Sequence, residues 1–205
     1  MADQLVTLAA AKLRLVVTDA TDDTLITDLI EQVSGFVQDR CRRRFLPDDA
    51  ATYIVDTGPG SEIQVPRGVR TVTTLEVAQL DQPDTGGSYT AVDAADVLLR
   101  PSPMFLRPGW PPDTILIRGA AARLRAALNG AKITGNFDFA ATPQAIEGVV
   151  MDAVVVAYNA RQGGSSDGVG EGNVPLPVWA EYFTDESPQG RTLARYTAGT
   201  KVGIG

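Results

Sequence analysis

The chain reads as an α+β protein: a helical core of two long helices and one short N-terminal helix, a β-rich insert, and a tethered C-terminal segment. Three observations carry that reading. Apolar residues recur at three- and four-residue spacing within 8–15, 22–44 and 143–161. Residues 51–139 are short β-branched runs separated by Gly, Pro and Asp, the texture of strands joined by turns. Residues 162–173 are glycine-rich and polar before large apolar groups return. The expected organisation is one α+β domain over 1–161, a flexible linker over 162–173 and a docking segment over 174–205.

Thr7 can cap the first helix, in which Leu8, Ala11, Lys12 and Leu15 share a face. For the second helix the expected N-cap is Thr21, with Asp22 and Asp23 in the first turn, where the positive end of the helix dipole favours carboxylates. Leu25, Leu29, Ile30, Val33, Phe36 and Val37 form its apolar stripe, which runs on to Cys41. Arg40, Arg42, Arg43 and Arg44 crowd its end, and Pro47 prevents continuation. Cations there complement the unpaired carbonyls of a helix terminus. Four arginines also repel one another, so an acidic partner surface stays open as a second reading.

Within the insert the expected strands are 52–56, 62–65, 69–78, 89–92, 97–100, 114–118 and 131–137, with 81–88 a projecting polar loop. The alanines of 119–131 favour helix, but Asn129-Gly130 is a preferred hairpin dipeptide, and a hairpin is the expectation. Thr142-Pro143 is the clearest helix start in the chain. Ile146, Val149, Val150, Ala153, Val154 and Ala157 form the third helix's apolar face, with Gly148, Ala153 and Ala157 small enough for close approach of the second. Beyond the linker, Ser187-Pro188 offers another capped start. The aromatic tail needs something to dock on, either its own core or a neighbouring subunit.

Composition removes most chemistry. With no His and one Cys, the Ser-His-Asp and Cys-His catalytic sets and the usual zinc and haem ligand sets are absent; no metal or cofactor is expected. Cys41 has no partner for a disulfide within the chain and is expected to pack. Gly168-Val-Gly-Glu-Gly172 lacks the strand and helix that would make it a dinucleotide fingerprint. Carboxylate pairs such as Asp93 with Asp96, or Asp185 with Glu186, would be the acid and base of a hydrolase, but nothing in the sequence positions them. A net charge of −7 opposes a grip on nucleic-acid phosphates. Apolar runs as short as Val154 to Ala157 predict no membrane span, and the N-terminus lacks a signal-like pattern, so a cytoplasmic fold is expected.

The order of blocks resembles the head-to-tail connector, or adaptor, proteins of long-tailed phages. The matching residues are Leu8-Ala-Ala-Ala-Lys-Leu-Arg-Leu15, Asp22-Asp-Thr-Leu-Ile-Thr-Asp-Leu-Ile-Glu-Gln-Val33, Glu62-Ile-Gln-Val-Pro66, Ile133-Thr-Gly-Asn-Phe-Asp-Phe-Ala-Ala-Thr-Pro143 and Ser187-Pro-Gln-Gly-Arg-Thr-Leu-Ala-Arg-Tyr196. In the fourth block a strand enters a Gly-aromatic turn and then a Thr-Pro helix start. The resemblance implies a virion protein without enzymatic activity, assembled in the bacterial cytoplasm into a homo-oligomeric ring, commonly of twelve. Such a ring sits beneath the portal protein and joins it to the next neck or tail protein, a stopper or tail terminator. DNA passes through its channel without specific binding. A stopper or tail-terminator role for the chain itself is the alternative. Trp179, Tyr182, Phe183, Leu193, Arg195 and Tyr196 are the expected contacts to the portal or a neighbouring subunit, with Arg40, Arg42, Arg43 and Arg44 as interface charge. On that reading, deleting 174–205 leaves a folded core and loses the portal, whereas unfolding would assign the segment to its own subunit.

Overall fold

The computed structural model describes residues 3–65, 67–78, 89–101, 110–119, 124, 126–163 and 181–197. The fold is α+β, and the chain divides into a helical unit, Met1–Phe45 with Thr142–Gly205, and a β unit, Leu46–Ala141.

The helical unit contains α1 (Leu8–Leu15), α2 (Asp23–Cys41), α3 (Gln144–Gly163) and α4 (Pro188–Ala194), the last preceded by a 3₁₀ turn at Glu181–Phe183. The Thr7 hydroxyl accepts from the Ala10 N–H at 3.2 Å, closing the start of α1 as its sequence predicts. Lys12 bonds the Asp19 carbonyl and the Asp23 carboxylate, tying α1 to the first turn of α2. The N-cap of α2 is Asp22, not Thr21, and it makes no side-chain cap bond. Its carboxylate accepts instead from the Tyr158 hydroxyl of α3, a contact that raises the tyrosine's pKa. A tertiary hydrogen bond has displaced the local one.

Helix α2 ends at Cys41, three residues short of the expected 44. Arg42 turns into the left-handed region at φ 49°, and the N–H groups of Arg42 and Arg43 return to the carbonyls of Asp39 and Gln38, each at 3.1 Å. That is a backbone-closed terminus, complete before Pro47 can act. Ile26, Leu29, Ile30, Val33 and Val37 of α2 are buried in the same unit as Ile146, Val150, Ala153 and Val154 of α3. Gly148 does not belong to the buried face: it is exposed, with open space where a side chain would stand. The buried Ser34 hydroxyl accepts from the Leu5 N–H at 3.1 Å, so the chain before α1 also closes on α2.

Helix α1 ends on Val16, at φ 59° and 85% exposed. A left-handed backbone disfavours a β-branched residue by roughly 1–2 kcal/mol, and little buried contact compensates here. Val16→Gly is therefore expected to stabilise the isolated chain by about 1 kcal/mol, read as a higher urea midpoint at unchanged m-value.

The β unit contains β1 (Asp48–Thr57), β2 (Glu62–Gln64), β3 (Val69–Ala78), β4 (Tyr89–Ala91), β5 (Val97–Arg100), β6 (Thr114–Ile117) and β7 (Ala127–Phe137). Among the described residues all pairings are antiparallel, in two sheets ordered β1-β7-β3-β4 and β2-β6-β5. They share one core that includes Ile63, Val69, Leu75, Ile115, Ile117, Ile133 and Phe137. Alternation along β1 puts Ala51, Tyr53 and Val55 against this core and leaves Thr52, Ile54 and Asp56 exposed.

Asn129-Gly130 is not a hairpin turn. It lies inside β7, where Val55 pairs with Ala131 and Thr57 with Ala127, so the extra residues of β7 form a bulge. Asn129 takes φ 52° there and donates its N–H to Asp56 Oδ1 at 2.8 Å. The same left-handed tolerance that suits a turn serves the bulge. Of the rest of 119–131, residues 120–123 and 125 lie outside the described residues, as do 81–88. Gly135 sits within β7, inside the strand expected over 131–137, and the backbone turns after the strand, at Asp138, φ 58°.

Candidate assembly interface

The arginines that close α2 divide by partner. Arg40 forms an ion pair with Asp185. Arg44 pairs with Asp3, its Nη2 donating to Oδ1 at 3.0 Å. Arg42 is exposed at the left-handed terminus and Arg43 is half-buried. Arg40 and Arg44 thus meet carboxylates of their own chain, and surface pairs of this kind contribute about 0–1 kcal/mol each.

The C-terminal residues 181–197 dock on their own helical unit. Ser187 caps α4, accepting from the Gly190 N–H at 2.9 Å, with Pro188 in the first turn, as the sequence predicts. A Cβ on Gly190 would stand 1.8 Å from the Thr184 carbonyl oxygen, so the turn can close only over glycine. Phe183 and Leu193 are buried, 2% and 1% exposed. The Phe183 ring lies 5.2 Å from that of Phe36, and the Leu193 carbonyl accepts from the Cys41 thiol at 3.7 Å. Tyr196, half-buried, meets Phe45 edge-on with centroids 5.8 Å apart. Tyr182 is half-buried and accepts from Gln189 Nε2 at 2.9 Å, while Arg195 is exposed. Trp179 lies outside the described residues.

Burial pushes the Cys41 thiol up to about 12. The thiolate is the reactive form, so Cys41 is expected to resist a disulfide reagent at pH 8 in the native chain and to react at once in denaturant. The sign also follows for stability. Because the folded-state value is raised, the contribution is intact below the ordinary thiol pKa and is lost as pH climbs toward 12.

Of the four carboxylates expected as candidate acid and base, Asp96 is half-buried and the other three are engaged or exposed. Asp93 caps a 3₁₀ turn at Ala94–Asp96, accepting from the Ala95 N–H at 2.9 Å. Asp185 belongs to the Arg40 pair, and Glu186 is exposed. Among the described residues no group of three or more His, Cys, Asp or Glu could hold a metal ion, and no helix is long and apolar enough to cross a membrane.

A polar cluster with no local sequence signature lies in the β unit. Arg67 Nη1 donates to Asp48 Oδ2 at 2.8 Å, lies 3.7 Å from Asp138 Oδ2, and its guanidinium stands 5.0 Å from the Tyr53 ring centroid. The Tyr53 hydroxyl donates to Asp48. Burial, then this hydrogen bond, raises the Tyr53 pKa. The buried Asp138 also donates its own N–H to the Gly68 carbonyl at 2.7 Å. One guanidinium so clasps the start of β1, the approach to β3 and the end of β7. Its members are scattered through the chain, so no local motif marks them. The arrangement is a structural clasp.

No protein-family model matches the chain. No curated protein matches it either. Two of the solved structures that match the chain illustrate its fold. One, described as the neck of an empty GTA particle computed with C6 symmetry, aligns with 97% of this chain and 92% of its own at 16% identity and TM-score 0.52. The other, the virion of a native gene transfer agent (GTA) particle, gives the same coverage and identity at TM-score 0.51. At 16% identity the likeness is one of fold, and it runs through nearly the whole length of both chains.

Proposed function

We propose that the chain is a structural protein of the neck of a tailed-phage-type particle. In this reading it is a ring-forming adaptor, twelve copies seated below the portal protein and continuing the DNA channel toward the tail. The observation that carries the reading is the fold shared, over 97% of this chain, with a chain from the neck of a GTA particle. The net charge of −7 supports it, since an acidic channel wall repels phosphates and lets DNA slide. The arginine end of α2 and the neighbouring α4 supply the face that meets the portal or the next subunit. Tyr182, Arg195, Tyr196, Arg42 and Arg43 contact the partner there, and Trp179, outside the described residues, is a further proposed contact. Phe183 and Leu193 hold that face in place from beneath. The chain carries out no reaction in this role.

The test is to mix the purified protein with portal rings and image the mixture by negative stain. Added ring density on one face of the portal is the expected result. A chain that stays monomeric at high concentration and also ignores portal rings overturns the reading. Binding to the tail tube with none to the portal moves the chain to the stopper or tail-terminator position.

A further inference from the structure

We propose that neighbouring copies meet head to tail through two different surfaces of one chain. The outer face of α1, with Leu13, Arg14 and Val16, seats against the bulged β1–β7 edge of the next copy, with Ile54, Asp56 and Leu128. The inference rests on the ring-forming reading and gives it an interface.

Four large apolar side chains are exposed among the described residues: Leu13 at 82%, Val16 at 85%, Ile54 at 53% and Leu128 at 71%. They fall into two pairs. Leu13 and Val16 stand three residues apart at the end of α1, where that spacing puts them on one side of the helix, and Ala9 extends the same exposed stripe. Ile54 lies on the outward side of β1, the edge strand of its sheet, and Leu128 adjoins the β7 bulge that pairs with that strand. Single exposed apolar residues are ordinary, but two clustered pairs are more than chance exposure requires.

The charges beside the two pairs are opposite. Arg14 is 64% exposed and reaches its own Asp152 only at 3.6 Å. Asp56 shares the outward side of β1 with Ile54, is exposed, and has one neutral partner, the Asn129 N–H at 2.8 Å. Apolar groups with a cation on one surface therefore face apolar groups with an anion on the other. The α1 surface is also held by a left-handed β-branched residue, Val16 at φ 59°. Strain kept at an exposed apolar site points to use. A cyclic ring larger than a dimer needs a heterologous contact, that is, two different patches on every copy, and this chain presents two that complement each other.

The test uses Leu13→Cys and Leu128→Cys in one full-length chain. Both positions are exposed, so folding is unaffected, and native Cys41 is fully buried and does not compete. Mild oxidation of the assembled protein is expected to give a ladder of disulfide-linked multimers up to the full ring, reversed by reductant, while either single variant runs as a monomer. Leu13→Asp, which sets a second carboxylate against Asp56, is expected to lower the assembled fraction at least tenfold with the circular dichroism and melting of the free chain unchanged. Rings that form without a ladder, or a Leu13→Cys variant that links to itself as a dimer, overturn the interface and leave the ring reading standing. A wild-type chain that forms no multimer alone or on the portal removes both.

Discussion

Deleting residues 174–205 is expected to unfold the helical unit, and not merely to detach it from a partner. Phe183 and Leu193 are 2% and 1% exposed, Phe183 against the Phe36 ring and Leu193 bonded through its carbonyl to the Cys41 thiol. Truncating a buried Leu or Phe costs about 2–5 kcal/mol at each site, and the deletion removes both with the α4 cap. The loss approaches the whole stability of an ordinary domain, about 5–15 kcal/mol. The expected measurement is a collapse of far-UV helical signal at temperatures where the intact chain is native. The β signal should persist, because the β unit's core contains no residue from this segment. Leu193→Ala is the milder form and should lower unfolding free energy by about 3 kcal/mol in urea. A deletion variant with native helicity and an unchanged midpoint would refute the burial argument and return the tail to the role of a detachable arm.

Where a single short stretch of chain decides the outcome, the sequence was enough. The Thr7 cap, the limits of α1 and the Ser187-Pro188 start of α4 all depend on residues within four positions, and all appear in the structure. Misreadings arose where a distant residue took over a local signal. Asp22 bonds Tyr158, 136 residues away, in place of its own helix terminus. Asn129-Gly130 has the chemistry of a turn, but Asp56 and Thr57 across the ladder make it a bulge. The tail was legible as something that must dock, and periodicity could not say on what. Only the placement of Phe183 and Leu193 answers that for the described part, and the surface left over is what a partner can meet. The arginines are visible as a charge run, whereas the pairing of Arg40 and Arg44 requires knowing where Asp185 and Asp3 lie.

Gly135→Ala is expected to destabilise the β unit by about 3 kcal/mol or more, whereas Gly148→Ala should stabilise the helical unit by about 0.5–1 kcal/mol. The chemistry of the two changes is the same, so their surroundings decide the sign. β7 lies between β1 and β3, and at Gly135 the strand β3 passes so close that an added Cβ would stand 2.1 Å from the Thr71 carbonyl oxygen and 3.2 Å from the Val72 Cα. Those are backbone atoms in a paired strand, and no rotamer change moves them aside. Relief would require shifting β3, whose pairing with β7 is already irregular between Val69 and Thr71 and between Val72 and Thr74. At Gly148 nothing stands within 4 Å and the residue is interior to α3, so a methyl group gains helix propensity without a clash. Urea unfolding of both variants checks the pair: a Gly135→Ala chain with the wild-type midpoint would mean that β3 and β7 do not run in this register. The consequence reaches assembly as well, because the same strand carries the bulge beside Leu128. On the proposed ring-forming reading, loosening β7 is expected to weaken ring formation as well, although Gly135 itself is buried.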